Sequence, residues 1–228
     1  MKHTFVNKAD DQTKVSERWF TYDNHLSIED APTKGDLTKE VKWLNTQGAT
    51  NPVTQYTYDS FGNQTGMADA NNHTATTAYD PTGTYPISTT NAKIQTTTMQ
   101  YDLATGNLLS KTDPNGFQTT YTYDVFGRVT KEIKPYDSSS FPTVSYQYFV
   151  DGIAPEGTRV AKREVSGQAG TLDTYTWVDG SGRTVQTRTE SEASGQQNIV
   201  DTFYDRPARF SKIQSHTLQP QAQPTSNR

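Results

Sequence analysis

The sequence contains no cysteine, which excludes a disulfide framework and thiolate metal sites. Apolar residues are scarce too. They make up 31% by the AVILMFWYC count, against roughly 45–50% on a slightly wider count for ordinary globular chains. No run of about 18 apolar residues occurs, so no membrane-spanning helix is expected. Neither sign of charge dominates: 21 Lys and Arg face 25 Asp and Glu, a net charge of −4. The cations are scattered, whereas a nucleic-acid binder shows a basic patch or stripe. Residues 1–20 lack an apolar h-region, so no signal peptide is visible. Export by another route, or an N-terminus further upstream, is then expected.

Strand formers, by contrast, are abundant. There are 37 threonines, 13 tyrosines and 9 phenylalanines, types that suit a pleated, half-buried surface. Disordered chains are depleted in just these residues. The composition therefore points to a polar-surfaced β protein.

A repeat emerges from spacing, the first thing to seek in such a chain. An aromatic–Asp pair is followed a few residues later by glycine, then often by Asn or Arg. It occurs at Tyr58-Asp59 with Gly62, at Tyr101-Asp102 with Gly106, and at Tyr123-Asp124 with Gly127. Variants are Tyr79-Asp80 with Gly83, Val178-Asp179 with Gly182, and Tyr204-Asp205, where Ala208 replaces the glycine. The aspartates at 59, 80, 102, 124, 151, 179 and 205 are separated by 21, 22, 22, 27, 28 and 26 residues. Tyr22-Asp23 reads as an earlier unit that lacks its glycine.

One unit can be read directly. Gln118 to Tyr123 alternates, as a half-buried strand does. Asp124 opens a turn by accepting backbone N–H groups ahead of it. Gly127 supplies the positive φ, and Val129 to Ile133 returns. A second turn, Asp113-Pro114-Asn115-Gly116, suits type I geometry. Each step of about 22 residues is then two strands and two turns. A single hairpin is marginal in water, so neighbours must stack as in a repeat array.

The segments YTYDSFGNQ, YDLATGNLLSKTDPNGFQTTYTYDVFGRVTKEIKP and VDGSGRTVQTR resemble the YD repeats of Rhs proteins. Those repeats also occur in the B and C components of bacterial insecticidal toxin complexes and in teneurins. Ala31 to Thr38, followed by Lys42 to Asn45, is similar to the stretch that precedes such repeats in large toxin-like members. The resemblance covers roughly residues 20–210. It implies a β-strand spiral forming a hollow shell around a C-terminal effector, often a toxin, and a secreted or cell-surface location. The motif that closes such shells, and an effector after it, find no match, so shell wall alone is implied. The partners implied are the remainder of the shell and its effector, with glycans as a further possibility. Nucleic acid and a membrane span are not expected.

The expected fold is all-β, with repeated antiparallel hairpins forming a curved open sheet or part of a YD-repeat spiral shell. Residues 1–50 read as a degenerate leading repeat with a polar loop. A short amphipathic helix could be marked there by Leu37, Val41 and Leu44. Residues 51–136 hold regular repeats, 137–210 longer ones, and 211–228 a Pro/Gln-rich tail expected to be disordered.

Candidate chemistry is thin, and no cofactor is implied. The repeat aspartates could form a carboxylate ladder for calcium, but each capping its own turn is the simpler reading. Asp113-Pro114-Asn115-Gly116 has its glycine at the wrong position for a calcium loop. Tyr58, Tyr79, Tyr101 and Tyr123 could stack as an aromatic ladder for sugars. The plainer alternative is rings packed between strands with wet hydroxyls. His3, His25, His73 and His216 have no second ligand at zinc spacing. No nucleophile elbow or phosphate loop is present. A catalytic role is therefore not expected. The functional candidates are a shell-wall segment or, alternatively, an extracellular carbohydrate-binding or adhesion module.

Overall fold

The computed structural model describes residues 3–7, 14–46, 48–191, 196–206 and 209–218. Every regular element among them is a strand. The chain divides into two compact units, residues 1–116 and 117–228.

The first unit holds β1 (His3–Asn7), β2 (Lys14–Tyr22), β3 (Leu37–Lys42), β4 (Val53–Tyr58) and β5 (Gln64–Ala68). It continues with β6 (Thr74–Tyr79), β7 (Pro86–Thr90), β8 (Thr96–Tyr101) and β9 (Leu108–Thr112). The second unit holds β10 (Gln118–Tyr123), β11 (Val129–Ile133), β12 (Val144–Phe149) and β13 (Glu156–Arg163). After these come β14 (Thr171–Val178), β15 (Thr184–Glu190), β16 (Gln197–Arg206) and β17 (Arg209–Leu218). Within each unit, successive strands pair antiparallel with their sequence neighbours. Each is a meander of hairpins, the all-β fold expected from the alternating pattern.

The hairpins that end in the aromatic–Asp motif share one irregularity. The register shifts at the last residue before the aspartate: Tyr22, Tyr58, Tyr79, Tyr101, Tyr123 and Val178. A three-residue loop built as a type I turn plus one left-handed residue produces such a bulge. The extra residue raises the local twist.

Burial is shallow. Among the described residues the buried apolar side chains are Ala161, Ile199 and Pro142, and no large side chain is fully buried. Most domains sandwich a core between two packed layers. Here one face of a strand is exposed and the other only half-buried, as in the eieiei pattern of β6 and β8. Cohesion comes from backbone pairing and cross-strand contacts. Hydroxyl pairs such as Thr57–Thr65 at 3.1 Å, Thr90–Thr96 at 2.8 Å and Thr122–Thr130 at 2.8 Å join neighbouring strands. Such pairs contribute roughly 0.2–1 kcal/mol each. That is how a chain so poor in apolar residues and so rich in threonine can hold an ordered fold.

Two expectations are corrected. The stretch containing Leu37 and Val41 is strand β3, paired with β2 on one side and β4 on the other, not a helix. Pairing on both edges satisfies its backbone groups, which outweighs a weak local helix preference. The expected tail from residue 211 is strand through Leu218, where β17 pairs with β16 from Gln197 to Arg206. Residues 219–228 lie outside the described residues.

Candidate functional site

The repeating element is the aspartate turn. At Asp59, its N–H donates to the Asn63 carbonyl (3.0 Å), and the Gly62 N–H donates back to the Asp59 carbonyl (3.2 Å). Oδ1 accepts the N–H groups of Phe61 and Asn63, each at 2.9 Å, while Oδ2 accepts Asn63 Nδ2 at 3.1 Å. Gly62 has φ +89°, a region where a side chain is strained. Partial burial pushes the Asp59 carboxyl upward, but the donors of Asn63, Phe61 and Gly62 outweigh it and hold the pKa below the ordinary value.

The same turn recurs at Asp124 and Asp179 with arginine in the asparagine position. Asp124 accepts Phe126 N and Arg128 N at 2.9 Å and Arg128 Nε at 2.7 Å. Asp179 accepts Ser181 N at 2.9 Å, Arg183 N at 3.1 Å and the Arg183 guanidinium at 2.8 and 2.6 Å. At Asp80 and Asp102 the loop is one residue longer, closing to Tyr85 and Asn107. Asp80 gains the Thr82 hydroxyl and the N–H groups of Tyr85 and Thr84, and its pKa falls to about 2.

The opposite ends of the hairpins in the first unit carry the same cap. Asp69 accepts Asn71 N and His73 N, Asn91 accepts Lys93 N and Gln95 N, and Asp113 accepts Asn115 N. The left-handed position is filled by Asn72 (φ 62°), Ile94 (φ 60°) and Gly116 (φ 83°). Of these, the sequence pattern revealed Asp113. Asn91 escaped, because Ile94 carries no turn signal at all.

The unit at Tyr22-Asp23 was read as lacking its glycine. The glycine is Gly35 (φ 94°), displaced by an insertion. Asp23 N donates to Asp36 O at 2.8 Å, the bond that Asp59 makes to Asn63. The Asp23 carboxylate accepts the N–H groups of Thr33, Lys34, Gly35 and Asp36 at 2.5–3.2 Å. Burial opposes ionisation there, yet those four donors hold the carboxyl far below the usual range. The inserted loop thus hangs from a single carboxylate. A cavity of about 360 Å³ lies beside it, lined by Asp23, Lys34, Asp36, Tyr56, Tyr58 and other residues.

Consecutive turns also touch. The Phe61 ring lies directly over Gly83, and Asn63 Nδ2 donates to the Gly83 carbonyl at 2.6 Å. Tyr85 stacks on Tyr101 with centroids 5.0 Å apart, and its hydroxyl lies close to Gly106. The tyrosine hydroxyls reach back one repeat: Tyr58 to Leu37 O at 3.0 Å, Tyr148 to Val129 O at 2.9 Å, Tyr204 to Thr184 O at 3.0 Å. Over two of these rings sits the preceding arginine, Arg128 at 4.3 Å from Tyr148 and Arg183 at 4.4 Å from Tyr204. At these two turns the capping arginine thereby also presents its cation to the next aromatic.

This arrangement differs from a self-stacking tyrosine ladder. The ring beside Tyr101 is Tyr85 rather than Tyr79. Tyr123 stands at the bulge of β10. Asp205 lies in β16 with its side chain outside the described residues. Asp151 accepts only the Ile153 N–H, in an exposed loop. Among the described residues, no three His, Cys, Asp or Glu side chains converge to hold a metal. Nor, among the described residues, is any helix long and apolar enough to cross a membrane. Chemically the element is a turn cap whose hydrogen bonds are made within the turn and, at several turns, to the neighbouring repeat.

A family model for the RHS repeat matches residues 101–139. The crystal structure of TcdB2-TccC3 shares the fold over 92% of this chain and 15% of that chain, with 13% identity and TM-score 0.68. The crystal structure of TcdB2-TccC3-TEV does so over 93% and 17%, with 12% identity and TM-score 0.68. At such identities the likeness concerns the fold alone. This chain spans less than a fifth of the length of either chain it matches. No curated protein matches the sequence.

Proposed function

We propose that this RHS-repeat chain is a length of wall in a shell that encloses an effector and helps deliver it. The structural role rests on the match at residues 101–139 and on the recurrent aspartate-capped hairpin to either side of it. The observation that carries the wall reading is the shallow burial. Hairpin follows hairpin with almost no apolar side chain fully buried, so these strands divide space rather than enclose a core of their own. The clamps between turns within each unit support the coherence of such a wall, as where the Phe61 ring and Asn63 meet Gly83 and the Tyr148 hydroxyl meets Val129.

The effector and the remaining shell are the partners in this reading, and the location is outside the cell or at its surface. The mechanism is passive: a hydrogen-bonded sheet excludes proteases and other macromolecules from the enclosed volume. A carbohydrate-binding or adhesion role needs accessible tyrosine rings. Tyr148 and Tyr204 each have one face under a guanidinium and the hydroxyl bonded to a carbonyl, which leaves these two rings less open to a sugar.

The test is limited proteolysis of the full-length protein that contains this chain, with fragments identified by mass spectrometry. Protection of a segment outside the repeats, lost when Asp124→Ala and Asp179→Ala are introduced together, is the expected result. A segment cut equally fast in both proteins would overturn the enclosure reading.

A further inference from the structure

Twelve asparagines occur in the chain, and Asn115 alone is followed by glycine. That pairing matters chemically. A backbone nitrogen can attack the preceding carboxamide only when the intervening space is clear, and glycine leaves it clear. Asn115 and Gly116 lie at the exposed tip of the turn after β9. A methyl group placed on Gly116 would meet nothing within 4 Å.

The electrophile is free as well. The Asn115 main chain is held by Asp113 Oδ1 at 2.8 Å, but its carboxamide makes no hydrogen bond among the described residues. Other asparagines are guarded. Asn63 Nδ2 is shared between Asp59 and Gly83, and Asn91 Nδ2 is bound to Gln95. Asn51 is engaged by the Leu44 N–H and precedes Pro52, which has no N–H to attack with. In the turns of Asp59, Asp80, Asp102, Asp124 and Asp179 the residue before the glycine is Phe61, Thr82, Thr105, Phe126 and Ser181 respectively, none of which carries a carboxamide.

We propose that Asn115 is a site of spontaneous deamidation that converts the Asp113–Gly116 turn into an aspartyl or isoaspartyl turn. The Gly116 nitrogen attacks Asn115 Cγ, a C–N bond forms, and the side-chain nitrogen leaves as ammonia, carrying away the Gly116 amide proton. Water then opens the cyclic imide at either carbonyl. One opening gives aspartate at 115. The other gives isoaspartate, with one extra methylene in the main chain. No oxidant or enzyme is required. The one restraint is the bond from Gly116 N to Asp113 O at 3.0 Å, which must open first. It closes a tip exposed to solvent, where local opening is least costly. Either product places a second carboxylate beside Asp113. The isoaspartyl form also lengthens the backbone inside the cap, weakening the hold of Asp113 on residue 115.

The experiment is ageing of the folded chain in mildly alkaline buffer, followed by tryptic peptide mapping. The peptide Thr112–Arg128 contains Asn115 as its single asparagine. The expected result is amide-to-acid mass gain in that peptide before any other. It should split into two chromatographic products, one of them a substrate for isoaspartyl methyltransferase, and should be absent in Asn115→Gln. Two results would overturn the proposal. One is an unreactive peptide in the folded chain while the urea-unfolded chain reacts. The other is earlier reaction at any other asparagine.

Discussion

Gly83 and Gly116 provide a matched pair that separates two uses of glycine in one fold. Both have positive φ, +69° and +83°, yet Gly83 lies beneath the Phe61 ring and Gly116 faces open space. Alanine at either position is forced into the left-handed region, at a cost of roughly 1–2 kcal/mol. At Gly116 that is the whole effect. At Gly83 the new methyl also overlaps the ring, and such overpacking adds about 1–3 kcal/mol. Gly83→Ala is therefore expected to destabilise by about 2–5 kcal/mol, more than Gly116→Ala. Phe61 is 64% exposed, so Phe61→Ala alone should cost no more than about 1 kcal/mol. Combined with Gly83→Ala it should relieve the overlap and leave mainly the backbone cost, a coupling well outside additivity. Urea unfolding followed by circular dichroism measures all four proteins, with an unchanged slope as the condition for comparison. Equal costs at the two glycines, or strict additivity of the double mutant, would refute the stacking of one turn on the next.

Other perturbations follow from the same geometry. Ile94 is β-branched, 86% exposed and at φ 60°; Ile94→Gly should stabilise by about 1 kcal/mol, seen as a raised urea midpoint. Arg128→Ala and Tyr148→Leu should show coupling of about 1 kcal/mol in a double-mutant cycle, and Arg128→Lys should not restore it, because Arg128 both donates Nε to Asp124 and covers the ring. The carboxylates of Asp59, Asp69, Asp80, Asp102, Asp124 and Asp179 have depressed folded pKa values, so their stabilisation is complete above the unfolded value of about 4 and is lost as pH falls through the folded value. For Asp80 that window ends at about 2. The strand signal should therefore persist through mild acid and fall below about pH 4, with a shallower fall in Asp80→Asn. Loss of the signal already near pH 5 would contradict the capping geometry.

The strands of the regular repeats were legible because two local signals coincide there. Alternation marks β10 and β11, and an Asp with a glycine three residues later marks the turn, since only glycine enters the left-handed region freely. The capping role of Asp59 and Asp124 needs no partner further than four residues away, so it too lies within local sequence. Where a signal is absent, sequence falls silent. Ile94 adopts a turn conformation that its type disfavours, and Asn91 was missed for that reason. Gly35 was missed because its aspartate is twelve residues back.

By itself, the sequence determined the all-β class, the repeat and its phase, and the aspartate caps. These depend on alternation and on φ preferences within a few residues. Only the tertiary structure decided what each repeat holds on to: Phe61 on Gly83, Arg128 over Tyr148, the Tyr58 hydroxyl on Leu37. It also decided that β3 is a strand, through pairing on both its edges. Those contacts join residues about twenty apart in the chain. Local preferences carry no information about such neighbours, because the register between strands is set by the pairing of whole hairpins.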